Sequence, residues 1–323
     1  MTVLVAIYGE HPWNIPASYV EGLQRRFGHH TFAQATCEQE LMARIHEAEV
    51  GFLGRLKVEA LTRAERLVWV HSPAAGVGSL LFPEMLASRV VLTNSRGLHG
   101  PAMAEHVIGV TIALFRHFHS AMRAQPGHRW AKADLSDVRM LRGRRMGIIG
   151  LGAVGTAVAA AASALGMHVI ATRRHADRPR PVSVEEVYPP SGLPRLLETS
   201  DVVVVAAPHT HETGELIRSR EVRLMKRDAI LVNIARGRLV SEGDLARELA
   251  RGTIAGAALD VFEHEPLGAS SPLWDLPNVI ITPHTSGYRE DYWEAAVELF
   301  AQNLGRFDRG EPLLNVVDKQ AGY

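Results

Sequence analysis

The apolar run Arg145-Met146-Gly147-Ile148-Ile149 leads into Gly150-Leu151-Gly152-Ala153-Val154-Gly155. An alanine-rich stretch to Leu165 and a second apolar run, Met167 to Thr172, follow. Gly-x-Gly-x-x-Gly arises by chance in chains rich in glycine and alanine. Placed between a strand and a helix, with another strand about 20 residues on, it predicts a βαβ dinucleotide-binding unit. Gly150 permits the tight turn, Gly152 lets backbone approach a pyrophosphate, and Gly155 lets the helix pack closely on the strand. The helix N-terminus then offers N–H groups and the positive end of its dipole to the phosphates, with Leu151, Ala153 and Val154 completing the cofactor loop.

The same alternation extends in both directions. Val3 to Tyr8, Val50 to Leu53, Leu67 to Val70 and Val90 to Leu92 read as strands, separated by helical spacing at Tyr19 to Phe27, Glu38 to Ala48 and Val58 to Glu65. Further strands are predicted at Val202 to Ala206, Ile230 to Asn233, Thr253 to Leu259 and Val279 to Ile281. Strands alternating with helices make parallel sheets with covered faces. The predicted fold is α/β, with two Rossmann-like or flavodoxin-like doubly wound parallel-sheet domains and a cleft between them. A length of 323 residues suits two domains at about 150 residues each. Helices over Pro101 to Gln125 and about Asp291 to Phe307 would cross between them. Residues 1–98 plus 287–323 then form the substrate-binding domain and 99–286 the dinucleotide-binding domain. The stretch Pro179 to Pro194, with five prolines, reads as surface loop.

Thirty-five basic residues balance thirty-five acidic ones, which removes the long-range field that draws proteins to nucleic acid or anionic membranes. No apolar run approaches the ~20 residues that span a bilayer. The N-terminus lacks the charged start and cleavage site of a signal peptide, so a cytoplasmic location is expected. Cys37 stands alone, giving neither a disulfide nor a cysteine metal framework, and no metal is expected. His29-His30, and His209 with His211, read as surface or turn residues. His117 and His119, two apart on a predicted helix, would point to different faces. Glu105 and His106 read as packing between domains, while His71, Ser72 and Trp130 are possible cleft lining.

Charge is uneven locally. The second Rossmann strand ends in Ala171-Thr172-Arg173-Arg174, where NAD sites carry an acid for the ribose 2′-hydroxyl. Here the first acid is Asp177, amid Arg173, Arg174, Arg178 and Arg180. A guanidinium grips a 2′-phosphate through bidentate, charge-assisted hydrogen bonds. NADP(H) is therefore predicted over NAD(H), with Arg173 and Arg174 as phosphate ligands and Thr172 as a hydroxyl donor.

Three more residues follow predicted strands near their C-terminal ends, the edge where ligands bind in open α/β sheets. They are Arg236 in Asn233-Ile234-Ala235-Arg236-Gly237, Glu265 in Phe262-Glu263-His264-Glu265-Pro266, and His284 in Thr282-Pro283-His284-Thr285-Ser286-Gly287. Arg236 would clamp a carboxylate. His284 would exchange a proton near neutral pH, and Glu265 would orient its ring and favour the imidazolium.

At these residues the chain resembles the D-isomer-specific 2-hydroxyacid dehydrogenase family, on its NADP-preferring, glyoxylate/hydroxypyruvate reductase-like side. The resemblance runs through Ala75-Gly76-Val77, Ala104-Glu105-His106, the glycine loop, Asn233 to Gly237, Leu259-Asp260-Val261-Phe262, Glu265-Pro266 and Pro283-His284 to Gly287, covering essentially the whole chain. It implies an NADPH-dependent oxidoreductase interconverting a small 2-keto acid and a D-2-hydroxy acid by hydride transfer. His284 would be the acid/base, Glu265 its partner and Arg236 the anchor of the substrate carboxylate and carbonyl. Backbone N–H groups of Ala75, Gly76, Val77 and Gly78 would hold the carboxylate; many relatives carry Asp where this chain has Gly78. Asp260 would meet the nicotinamide end, with further cofactor contacts at Ala207, Pro208, Thr213, Ile234, Ala235, His284, Ser286 and Gly287. Glu265 separates the chain from the family's formate dehydrogenases, which have Gln there. A homodimer is implied, formed through the cofactor domain and the Pro101 helix, with no nucleic-acid or membrane partner. The competing class is a non-catalytic NAD(P)-sensing regulator on the same fold; a cofactor loop suited to a reductive NADPH pool argues against it.

Overall fold

The structure, a computed structural model, describes residues 1–9, 13–210 and 212–322. The chain divides into two compact units, Met1–Leu98 with Arg289–Tyr323, and His99–Tyr288. In the first unit, strands β1 (Thr2–Ala6), β2 (Thr31–Gln34), β3 (Val50–Leu53), β4 (Trp69–Ser72) and β5 (Val91–Asn94) form a parallel sheet in the order β2-β1-β3-β4-β5. The second unit holds β6 (Arg145–Ile149), β7 (His168–Thr172), β8 (Glu186–Tyr188), β9 (Val202–Val205), β10 (Ile230–Asn233), β11 (Gly256–Leu259) and β12 (Val279–Ile281). These are also all parallel, ordered β12-β11-β10-β9-β6-β7-β8. The chain leaves β6 for β7 on one side and later returns to β9 on the other, so a switch point lies beside the glycine loop.

A parallel strand covered on both faces must be apolar at every position, which is how Val202-Val203-Val204-Val205 comes to be fully buried. Small residues set the helix packing of this unit. A Cβ at Gly100, opening the helix Gly100–Phe115, would lie 3.3 Å from the Ala157 Cβ of the helix Ala153–Ala164.

The helix Tyr292–Asp308 returns the chain to the first unit's core, where Phe300 stacks on Phe52 with centroids 4.5 Å apart. Beside them His71 is fully buried in a closed polar chain. Trp69 Nε1 donates to Thr93 Oγ1 at 2.8 Å; that hydroxyl lies 2.7 Å from His71 Nδ1; His71 Nε2 lies 3.3 Å from Ser95 Oγ, which donates to the Ser72 carbonyl at 3.0 Å. One neutral tautomer, with the proton on Nε2, satisfies every member. His71 is thus a core histidine rather than cleft lining, whereas Trp130 is exposed.

Three local expectations differ from the structure. β2 lies in a stretch not read as strand, and β8 falls within the proline-rich segment expected to be loop. Both are short edge strands with partly exposed side chains, so they carry little hydrophobic pattern. The long helix predicted from Pro101 ends at Phe115 and a second runs Phe118–Ala124, because His117 adopts a left-handed φ of 55°. His117 therefore lies outside the regular helix, and its ring centroid is 5.8 Å from that of His119. Among the described residues no helix is long and apolar enough to cross a membrane.

Burial pushes His71 down from the ordinary 6.5 to about 3. Between those values the unfolded chain binds a proton that the folded chain refuses, so this contribution to stability is full above 6.5 and is lost as pH falls towards 3. The unfolding temperature should drop from pH 7.5 to 5, and His71→Gln should flatten that dependence; an equal slope in the variant would exclude His71 as its source.

Candidate active site

The glycine loop has the stereochemistry a pyrophosphate needs. Gly150 follows β6 with φ of +100°, and a Cβ there would lie 2.6 Å from Ala207 Cα. At Gly155 a Cβ would sit 2.1 Å from the Gly150 carbonyl oxygen, so the helix Ala153–Ala164 reaches the strand only through glycine. Gly152 faces open space, with no atom within 4 Å of a Cβ position. The N–H groups of Leu151, Gly152, Ala153 and Val154 have no acceptor among the described residues. Free donors at a helix N-terminus in an open cradle fit a pyrophosphate.

Along the same sheet edge the loops after β10, β11 and β12 meet. Buried Asn233 braces the first, accepting from Ala235 N at 3.1 Å and donating to the Arg236 carbonyl at 3.1 Å. Gly237 presses on the second, since a Cβ there would lie 1.8 Å from the Phe262 carbonyl carbon. This holds the Arg236 backbone beside the segment bearing Glu265. The Arg236 side chain is exposed, donates to the Ala235 carbonyl at 2.6 Å and has no ion-pair partner among the described residues.

Glu265, which precedes a cis proline peptide, accepts from Phe262 N at 3.0 Å through Oε1 and approaches His284 Nδ1 to 2.7 Å through Oε2. His284 Nε2 is left as the ring atom able to exchange a proton. The histidine has a left-handed φ of 55°, and its N–H donates to the Asp260 carbonyl at 2.9 Å. Buried Asp260 gathers the rest of that loop: Oδ1 accepts from Thr282 Oγ1 at 2.6 Å and Thr285 N at 2.9 Å, and Oδ2 from Ser286 N at 3.0 Å. His106 Nε2 lies 3.4 Å from the Thr282 hydroxyl, and burial holds that histidine below its ordinary value against the pull of Asp260. The sequence alone gives Asn233, Thr282 and Thr285 no such supporting roles. Their signal is adjacency to motif residues, which does not disclose a partner.

The other predicted cofactor residues line neighbouring loops. Ala207 abuts Gly150, Thr213 Oγ1 donates to the Pro208 carbonyl at 2.7 Å, and Ile234 and Ser286 are buried. Gly287 offers its carbonyl to His99 Nδ1 at 2.9 Å. Thr172 is buried at the end of β7. Arg173 folds back on its own loop, donating to the carbonyls of Arg178 and, at 3.2 Å, Pro179, while exposed Arg174 pairs with Glu212 at 2.9 Å. His211 lies outside the described residues.

In the first unit, the Ala75 to Gly78 turn follows β4. Asn94 Nδ2 donates to the Ala75 carbonyl at 2.7 Å, and the N–H groups of Ala75, Gly76 and Val77 have no acceptor among the described residues. A Cβ at Gly78 would meet nothing within 4 Å, so an aspartate there would fit the same turn.

A glycine-loop dinucleotide site, a histidine–glutamate pair and an unpaired arginine on one sheet edge are the parts of a nicotinamide-dependent oxidoreductase. The family profile described as D-isomer specific 2-hydroxyacid dehydrogenase, NAD binding domain, matches residues 108–286. The chain belongs to the D-isomer specific 2-hydroxyacid dehydrogenase family and is an NAD(P)-dependent oxidoreductase. It is 34% identical over 271 residues to a glyoxylate reductase of Korarchaeum cryptofilum, covering 82% of this chain and 80% of that one. The structure of a D-isomer specific 2-hydroxyacid dehydrogenase family protein from Aeromonas salmonicida superposes with a TM-score of 0.86 at 33% identity, covering 98% of this chain and 99% of that one. An NADPH-dependent glyoxylate/hydroxypyruvate reductase of Sinorhizobium meliloti, solved with NADP and sulfate, gives 0.85 at 26% identity with full coverage of both chains.

Gly155→Ala would place a methyl group against the Gly150 carbonyl. It should cost about 1–3 kcal/mol by overpacking and weaken binding of the reduced nicotinamide cofactor in a fluorescence titration. Unfolding and binding curves matching the parent would show that the helix can move away.

Proposed function

We propose that the protein is an NADPH-dependent reductase of small 2-keto acids, with glyoxylate and hydroxypyruvate as the first candidates. The observation that carries this reading is the His284–Glu265 pair at 2.7 Å on the sheet edge that also bears an unpaired Arg236. The relatives' names support the substrate class. When bound, reduced nicotinamide supplies the hydride, while the protein provides orientation and electrostatics.

Arg236 holds the substrate's carboxylate and carbonyl through its planar fork. As negative charge builds on the carbonyl oxygen, Arg236 and protonated His284 stabilise it, and His284 Nε2 delivers the proton. Glu265 keeps the Nδ1 side of the ring engaged, so the two nitrogens have separate tasks. Asp260 fixes the histidine loop and has unused acceptor capacity on Oδ2 for the amide of the nicotinamide. Arg173 and Arg174 take the 2′-phosphate, with Arg174 exchanging the Glu212 carboxylate for it. A proton-transfer pair has no task in a sensor that only binds nucleotide, which favours the enzyme over that reading. We also assign a homodimer, because Phe118, Met122, Trp130, Val138 and Met140 are exposed in one stretch of chain.

Purified protein should reduce glyoxylate or hydroxypyruvate with NADPH. His284→Ala should lower kcat by about 10²–10⁴-fold while NADPH still binds; saturable binding without turnover on any 2-keto acid tried would instead establish a sensor. Where hydride transfer limits both directions, reduction should slow as pH rises and oxidation should quicken; one shared optimum would remove His284 from the proton transfer. Arg174→Ser should lower kcat/KM for NADPH about tenfold, a loss of roughly 1.4 kcal/mol, with little change for NADH. A parent kcat/KM ratio of NADPH to NADH at or below one would overturn the cofactor assignment.

A further inference from the structure

We propose that His29, His30 and Asp308 bind a divalent transition-metal ion of the zinc type, at a site sharing no residue with the proposed active site. All three belong to the first unit. His29 Nε2 lies 3.0 Å from Asp308 Oδ2, and His30 Nε2 lies 2.9 and 3.0 Å from the two carboxylate oxygens. The three ligand atoms fall within 4.8 Å of one another. A tetrahedral zinc ion with bonds near 2.05 Å spaces its ligands by about 3.3 Å, so small shifts would admit the ion between them. Two imidazoles and one carboxylate suit zinc, nickel or copper, and the exposed His29 side leaves room for water as a further ligand.

The ligands are held in place before any ion arrives. The His30 side chain is 6% exposed, and its ring lies nearly parallel to Phe27. Gln24 braces the turn, donating to the His30 carbonyl at 3.0 Å and accepting from Phe32 N at 3.0 Å. Buried His30 Nδ1 has no hydrogen-bond partner among the described residues. No neighbour therefore prevents the proton from residing there while Nε2 offers its lone pair to a metal.

The electrostatics also favour a cation. Both imidazoles converge on one carboxylate with centroids 4.0 Å apart. Helix Tyr292–Asp308 ends on this acid and helix Ala17–Arg26 ends just before the histidines, so the negative ends of two helix dipoles lie in the segments that carry the ligands. The neighbouring cations are engaged with other partners, Arg26 with Glu298 at 2.6 Å and Arg309 with Glu311 at 2.7 Å. His29 and His30 lie in a turn, and the carboxylate that both rings approach comes from a residue 278 positions beyond His30.

The test is calorimetric titration of the chelator-treated full chain with ZnCl₂, repeated with Co²⁺ as a spectroscopic probe. One ion per chain should bind with Kd on the order of 10 μM or tighter, raising the unfolding temperature and giving Co²⁺ strong visible absorption. His29→Ala, at an exposed side chain, and Asp308→Asn should each weaken zinc at least about tenfold, and His29→Ala should leave NADPH-dependent turnover unchanged. Absence of stoichiometric binding, or parent-like affinity in either variant, would overturn the site.

Discussion

Asp260 is an acid almost wholly withdrawn from solvent. A buried carboxylate is tolerable only when its oxygens are hydrogen-bonded, and here the donors are the Thr282 hydroxyl and the N–H groups of Thr285 and Ser286. Satisfying it closes the segment after β12 into a loop, and the residue inside that loop is His284. The Asp260 carbonyl takes the His284 N–H as well. The position of the proposed acid/base thus follows from the need to satisfy an acid at the end of the neighbouring strand, and Glu265 then sets only the ring. Asp260 is accordingly a positioning group for the histidine in addition to its proposed role towards the cofactor.

The parts legible in the sequence were those that pattern encodes. Buried parallel strands such as Val202–Val205 announce themselves as unbroken apolar runs, and the glycine loop reports its own backbone geometry. Edge strands do not: β2 and β8 are half-exposed and short, so neither period nor composition marks them. The break at His117 was hidden because neither proline nor glycine stands there. Arg236, Glu265 and His284 were visible by their places after strands. The brace at Asn233 is local, but an asparagine two or three residues from its partners has no pattern that marks it. The donors around Asp260 are not visible either, since a hydrogen bond between residues more than twenty apart leaves no periodic trace. His29 and His30 were uninformative for the same reason, their partner being Asp308.

The segment after β7 shows a related physical economy. Arg173 uses its guanidinium to cap the carbonyls of its own loop, and its buried Nε has no partner among the described residues. Arg174, paired with an exposed glutamate, can exchange that partner at little cost, since surface ion pairs contribute little. In the structure one arginine is thus folded onto its own loop and the other is held in a surface ion pair.

The first unit is assembled from both ends of the chain, whereas His99–Tyr288 is one continuous segment. On a ribosome the continuous unit can complete its sheet while the first still lacks Phe300 and Leu304, both fully buried in its core. Until the helix Tyr292–Asp308 emerges, Phe52 and Trp69 present an apolar surface without its cover, a state open to misassociation. Phe52 and Trp69 thus depend for their cover on a helix that follows them by more than two hundred residues, with the whole of the continuous unit made in between.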